Sequence, residues 1–392
     1  MSTRNVYLDN NATTRVAPEV IGAMQPFLEE LWGNPSSIHT FGGQVARHVE
    51  RAREQVASLL KADPSEIIFT SCGTESDNMA IRGAVEAFGG RPAIVTTRVE
   101  HPAVLGPCRY LESRGHKLVE LGVDGDGRLD LDELRAALTD QTAVVSVMWA
   151  NNETGVVFPI DEIAGIVKHA GCVLHTDAVQ VAGKLPIDLR KTPVDMLSLS
   201  GHKLHAPKGV GVLYVRKGTR VNPLLLGGHQ EHGKRAGTEN VPYIVGLGRA
   251  CELAAEAMDE ENGRVRALRD RLEAGLLASC RDCRVNGDRE HRLPNTTNIS
   301  FEYVEGEAIL LRLDDLGVAA SSGSACTSGS LEPSHVMRAM GVPFTAAHGS
   351  IRFSLSRYNT EADVDWVLEH LPPIIEDLRR ISPFVPKAAV KG

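Results

Sequence analysis

The chain has 392 residues, 23% of them charged and 42% hydrophobic, with a formal net charge of -8. That length supports a large core and most naturally two domains, and the mild acidity argues against nucleic-acid binding, which needs Lys and Arg clustered against phosphates. No apolar run approaches membrane length and no secretory signal opens the chain, so a cytoplasmic protein is expected.

Through residue 240, β-branched apolar runs alternate with amphipathic stretches, the mark of a mostly parallel α/β sheet with helices on both faces. Strands are expected at 67–70, 94–97, 117–121, 143–148, 173–175, 196–200 and 211–215, with helices at 44–60 and 160–170. Sheets of this kind bind ligands beyond the carboxyl ends of their strands, and most of the polar motifs fall there.

The first is Ser71-Cys72-Gly73-Thr74-Glu75, which leads from a strand into a helix. Backbone amides at a helix N-terminus suit a phosphate, although no Gly-Lys-Ser/Thr follows to make a P-loop. Glu100-His101-Pro102 comes after the second strand; its histidine could stack on a ring, shuttle protons or simply cap a helix. Asp124 to Asp130 has a superficial likeness to a calcium loop, but Arg128, Leu129 and Arg135 stand where ligands or glycine are needed, so a turn is the better reading. Asn151-Asn152-Glu153 follows the run at 143–148 and offers side-chain amides.

At 173–180 a hydrophobic strand ends in Asp177, with Gln180 three residues on. Such an acid could face a protonated ring nitrogen or cap a helix. Ser200-Gly201-His202-Lys203 forms a tight polar turn after the next strand. Its lysine could form a Schiff base if desolvation or a nearby cation kept the amine neutral; alone, it reads more readily as a surface charge.

The pattern changes near Asn240. A long helix is expected at 241–279, followed by mixed elements at 297–301, 318–321, 335–340 and 351–355. We assign a large domain to 16–258 and a smaller α+β domain to 1–15 with 259–392. Seven cysteines are scattered through the chain, and the lone Cys280-x-x-Cys283 has no second pair to complete a zinc site. Cys326 differs from the rest. It sits among glycines and serines in Ser321-Ser-Gly-Ser-Ala-Cys326-Thr-Ser-Gly-Ser, the setting of a mobile loop and a reactive thiol.

In this order, Gly-Thr-Glu-Ser, Glu-His-Pro, Asn-Asn-Glu-Thr-Gly, His-Thr-Asp-Ala-x-Gln, Gly-His-Lys and Ser-Ser-Gly-Ser-Ala-Cys resemble the cysteine desulfurases. These are fold-type I pyridoxal-phosphate (PLP) enzymes related to class V aminotransferases. The run after Cys326 and Gly227-Gly-His-Gln-Glu look most like the nitrogen-fixation, NifS, group. The resemblance implies a seven-stranded, mixed but mostly parallel sheet in the large domain and PLP carried covalently on Lys203. It implies Asp177 at the ring nitrogen, His101 stacked on the ring, and Asn152 and Gln180 near its phenolic oxygen. Gly73, Thr74, Ser200, Gly201 and His202 would hold the phosphate, Thr238 would reach the phosphate in the other subunit of a homodimer, and Arg352, with Asn152 beside it, would grip the carboxylate of L-cysteine.

The same resemblance makes Lys203 the proton shuttle and Cys326 the thiolate that takes the substrate sulfur as a persulfide, releasing alanine. The acceptor would be a scaffold of the NifU or IscU type in iron–sulfur, and specifically nitrogenase, cluster assembly. No permanent metal is expected, though Cys326 could transiently ligate a cluster. A selenocysteine lyase and a plain class V aminotransferase are the rivals among enzymes. A sulfur or iron–sulfur scaffold is the rival outside them, but it would want clustered cysteines and no PLP lysine.

Overall fold

The structure is a computed structural model that describes residues 4–322 and 333–385. Its elements run β1 (Val6–Tyr7), α1 (Pro18–Glu29), α2 (Thr40–Leu60), β2 (Ile67–Thr70), α3 (Gly73–Ala87), β3 (Ala93–Thr97), α4 (Pro102–Ser113), β4 (Lys117–Leu121), α5 (Leu131–Ala137), β5 (Thr142–Ser146), α6 (Ile160–His169), β6 (Val173–Asp177), β7 (Met196–Ser200) and β8 (Gly211–Val215). Then follow α7 (Val241–Ser279), β9 (Cys283–Val285), β10 (Thr296–Phe301), α8 (Gly306–Asp314), β11 (Val318–Ala319), β12 (Ser321–Ser322), α9 (His335–Ala339), α10 (Phe344–His348), β13 (Ser350–Ser354) and α11 (Glu361–Ile381).

The larger sheet has seven strands in the order β2-β8-β7-β6-β5-β3-β4. All its pairings are parallel except the two made by β8, which runs against β2 and β7. Strands such as Thr142–Ser146 and Gly211–Val215 are buried along their whole length, because helices cover both faces and leave no polar side to alternate with. Gly211 allows a close approach at the end of β8: a Cβ there would stand 2.7 Å from the carbonyl carbon of Cys72. The backbone entering α3 therefore packs directly on the sheet.

The second sheet, β12-β13-β10-β9, is antiparallel, and α7 and α11 contribute Leu272, Leu276, Val367 and Leu371 to the core around it. Short β1 pairs in parallel with β11, which brings the N-terminus into this second core. Helix α7 serves both bodies: Ile244, Leu247 and Cys251 lie in the first core, and Leu268, Leu272 and Leu276 in the second. At the turn after Asp124, the Asp124 carboxylate accepts from the backbone N–H groups of Asp126 and Arg128, and Asp130 then caps α5. Those carboxylates are used up in local turn chemistry.

One buried ion pair ties the edge of the large sheet to α2. Arg53 donates to both carboxylate oxygens of Glu231 at 2.8 and 2.9 Å, and Glu231 also accepts from the Phe69 amide in β2. Glu231 holds this position with a left-handed φ of 49°. Removing one partner of such a pair strands a buried charge. Glu231→Ala is therefore expected to destabilise the fold by about 3–5 kcal/mol, read as a lower urea midpoint; an unchanged midpoint would show the pair carries no weight.

Candidate functional site

Five strand ends converge on one cavity of about 330 Å³, a size within the roughly 300–1,000 Å³ usual for small-molecule sites. Cys72, Gly73 and Thr74 come from the β2–α3 junction, His101 from the end of β3, Asn152 from beyond β5, Asp177 and Gln180 from β6, and Ser200, His202 and Lys203 from β7. Arg352 enters from β13 in the second sheet. The cavity thus lies at the carboxyl ends of the parallel strands, between the two bodies.

The N-terminal segment completes it. Asn11 and Ala12 line the cavity, and their carbonyls accept hydrogen bonds from the Lys203 ammonium, the one to Ala12 at 2.8 Å. Thr14 bonds the His202 carbonyl through both its amide and its hydroxyl, and the Thr13 hydroxyl meets His202 Nδ1 at 3.1 Å. The lysine turn is therefore laced to residues 11–14. Asn11 also donates to the Asn152 carbonyl and to the Thr296 hydroxyl, which binds the site to the second sheet.

Burial sets the electrostatics. Lys203 is pushed down to about 7, first by desolvation and then by the charges of Lys184 and Arg352. At neutral pH a substantial share of its amine is therefore unprotonated and nucleophilic. Burial raises Asp177 to about 6 and lowers His101 and His202 to about 4, so Asp177 is mostly ionised at neutral pH while both histidines are neutral. His101 Nδ1 accepts from the Ala103 amide, capping α4, which leaves Nε2 to carry the ring proton. Asp177 likewise accepts from the Val179 amide at 2.9 Å. At His101 capping and site membership hold together, whereas Asp177 closes a turn and caps no helix.

Several buried polar atoms on the cavity wall have no protein partner: Gln180 Oε1, Arg352 Nε and Asp77 Oδ1. Arg352 donates to Asp9 at 2.7 Å and to the Asn152 carbonyl at 3.0 Å, which fixes its plane while one donor stays free. Helix α3 opens at Cys72 with no side-chain cap, so its first-turn amides remain available beside Gly73 and Thr74. A Cβ on Gly73 would stand 3.0 Å from Val179 and 3.4 Å from Ser200, and would narrow that corner. Free amides, hydroxyls, an anion, a neutral imidazole and a depressed lysine are the donor set that a phosphorylated, protonated pyridine aldehyde would need. The residues fit PLP.

Of the expected site residues, Gly73, Thr74, His101, Asn152, Asp177, Gln180, Ser200, His202, Lys203 and Arg352 meet in this cavity. Gly201 does not line it; its place is against Val210, 2.9 Å from where its Cβ would stand. Thr238 lies in a different cavity, with Ser71, Glu231 and Arg235. Cys326 falls outside the described residues. Asn11, Ala12 and Asp77 were not anticipated. The one hint in the sequence concerns Asn11 and Ala12: the polar run Asp9-Asn10-Asn11 directly after a strand, where both asparagines prove buried.

The chain matches the aminotransferase class-V family over residues 6–367. It is 61% identical over 381 residues to the cysteine desulfurase NifS of Azotobacter vinelandii, covering 97% of this chain and 95% of that one. A cysteine desulfurase of Trichormus azollae is 62% identical over 379 residues, with the same coverage. Among solved structures, a NifS-like protein superposes with a TM-score of 0.90 at 42% identity, over 96% of this chain and all of the other. A second NifS-like protein, from Rickettsia africae, gives a TM-score of 0.87 at 31% identity, over 95% and 100%.

Proposed function

Because the chain belongs to the aminotransferase class-V family, we propose that the cavity at Lys203 is where this PLP-dependent cysteine desulfurase converts L-cysteine to L-alanine. The observation that carries this reading is Lys203: a cavity lysine at the end of β7, kept partly neutral by burial, with Asp177, His101 and the α3 amides around it. Purified protein should show the absorbance band of bound PLP and release alanine and sulfide from cysteine. A colourless protein that PLP does not reconstitute would sink the reading.

Bound PLP supplies an electron sink. Lys203 would hold it covalently, and its amine, when free, would move the proton at the substrate α-carbon. Thr74, Ser200, His202 and the first-turn amides of α3 would bind the phosphate. Asp177 would hold the ring nitrogen, and the neutral imidazole of His101 would pack on the ring. Asn152 and Gln180 would donate to the phenolic oxygen, Gln180 through the second hydrogen of the Nε2 that also bonds the Asn11 carbonyl. Arg352, its guanidinium oriented by Asp9 and Asn152, would turn its free Nε–H to the substrate carboxylate.

The thiolate of Cys326 then attacks the substrate sulfur. The S–S bond forms as the Cβ–S bond breaks, and the bonding pair stays with the substrate carbon, which takes up a proton on the way to alanine. Cys326 keeps the sulfur as a persulfide for an acceptor, which we take to be a NifU-like scaffold serving iron–sulfur, and specifically nitrogenase, cluster assembly. The NifS relative at 61% identity supports this destination.

We further place the protein in the cytoplasm as a homodimer in which Thr238 serves the partner's phosphate. Thr238 lies in a cavity apart from Lys203, and Trp32, Ile38 and Leu226 expose apolar surface that a second copy would cover. No described helix is long and apolar enough to cross a membrane. The division into 16–258, and 1–15 with 259–392, belongs to the same proposal, and the two cores that meet along α7 support it.

A pH dependence follows from Lys203. Below about 7 its amine is protonated and cannot attack PLP; above that it is free. Capture of PLP by the apoprotein should therefore accelerate as pH rises through about 7 and then level off. A midpoint near that of an ordinary lysine, about 10.4, would contradict the buried environment.

A further inference from the structure

Asp77 stands on α3, on the wall it shares with Asp177. It is 1% exposed, and its Oδ1 has no hydrogen-bond partner. The basic group beside it is His175, with Nε2 at 3.5 Å. That imidazole is fully buried between two hydroxyls, Ser146 at 2.8 Å on Nδ1 and Ser198 at 3.0 Å on Nε2. Desolvation holds it down to about 3, so it offers Asp77 no positive charge. The other charged or titratable groups that act on Asp77 are Asp177, Glu100 and Cys72, all acidic. Glu100 is itself fully buried, with one oxygen taken by the Met148 amide and the Thr97 hydroxyl and the other unpartnered.

Two carboxylates in one dry corner with no cation between them do not both ionise. Asp177 has the better claim to the charge, because it accepts the Val179 amide at 2.9 Å and is stabilised by the Lys203 charge. Asp77 has neither. We propose that Asp77 is a positioning acid that keeps its proton at working pH, so that Asp177 carries the single negative charge offered to the cofactor ring. The proposal rests on the reading of Asp177 as the partner of the ring nitrogen. Its consequence is electrostatic: with Asp77 neutral, one anion matches one ring cation.

Infrared spectra of the holoenzyme test this directly. A carbonyl stretch of a protonated carboxyl should be present at neutral pH, shift when the protein carries carbon-13 carboxyl-labelled aspartate, and vanish in Asp77→Asn. Asp77→Ser, which also removes the carboxyl, stands in should the amide variant not fold. Titration of the bound cofactor's absorbance gives a second reading. Asp77→Asn exchanges one neutral group for another and should move the midpoint by no more than a few tenths of a unit, while Asp177→Asn should lower it by a unit or more. The proposal is overturned if no aspartic-acid band is present, if the band survives both Asp77 substitutions, or if Asp77→Asn lowers the midpoint as far as Asp177→Asn does. An Asp177→Asn midpoint like that of the unaltered enzyme, beside an intact Asp77 band, would instead count against the role given to Asp177.

Discussion

Lys203→Ala is expected to abolish borohydride fixation of PLP to the protein and to lower alanine formation by on the order of 10²–10⁴-fold from the lost proton transfer alone. Both effects stem from one amine. The phosphate and ring contacts come from other residues, so PLP should still bind, without the covalent link. The competing candidate is Lys184, half-buried and with its own ammonium lowered to about 8 by desolvation. It does not line the cavity and donates to the Gln180 carbonyl at 3.0 Å. Peptide mapping after reduction separates the two: the label belongs on the peptide carrying Lys203, and a label on Lys184 would overturn the assignment.

Cys326→Ala should keep the PLP band and lose sulfide release by on the order of 10³-fold or more, as expected when a nucleophile is deleted. The cofactor contacts proposed above lie elsewhere in the chain, so the spectrum should not change. Replacement by another thiol is unpromising for most of the remaining cysteines. Burial pushes Cys280 up to about 11 and Cys251 up to about 12, raises Cys108 further, and also raises Cys172 and Cys283. A thiol held that high carries almost no thiolate at neutral pH. The exception to test is Cys72, which lines the cavity itself. Cys72→Ala should retain sulfide release. If it lost that activity while Cys326→Ala kept it, the sulfur-receiving role would move to Cys72.

The elements were most legible where local chemistry and tertiary burial agreed. The runs at 67–70, 117–121, 196–200, 211–215 and 241–279 coincide with β2, β4, β7, β8 and α7. Disagreement came at ends. The run at 143–148 overshoots β5, because Val147 and Met148 are apolar and buried but lie past the paired segment. The run at 173–175 stops short of β6, because Thr176 and Asp177 are polar yet extend the strand into the site. Helix α2 begins at Thr40, ahead of the expected 44, because His39 caps it and carries it over a Gly-Gly pair that reads as a poor helix start.

Site residues within a strand-to-turn motif, such as Lys203 and Asp177, could be found from position alone. Asn11 and Asp77 could not. Asn11 meets Lys203 through its main-chain carbonyl, which any residue type could offer, and Asp77 sits in the N-terminal part of α3, where an acid ordinarily faces water. Only the folded arrangement brings them to the cavity that Lys203 lines.

The lacing of residues 11–14 onto the lysine turn has a consequence for how the molecule is made. The residues that steady Lys203 leave the ribosome almost two hundred residues ahead of their partners at 202–205. Until then the N-terminal segment has nothing to lie against, and its strand β1 must wait longer still for β11. Residues 6–14 are thus among the last of these parts to find their place. A competent lysine pocket becomes a signature that synthesis has passed Arg352, the furthest residue lining it, and PLP capture can report that closure.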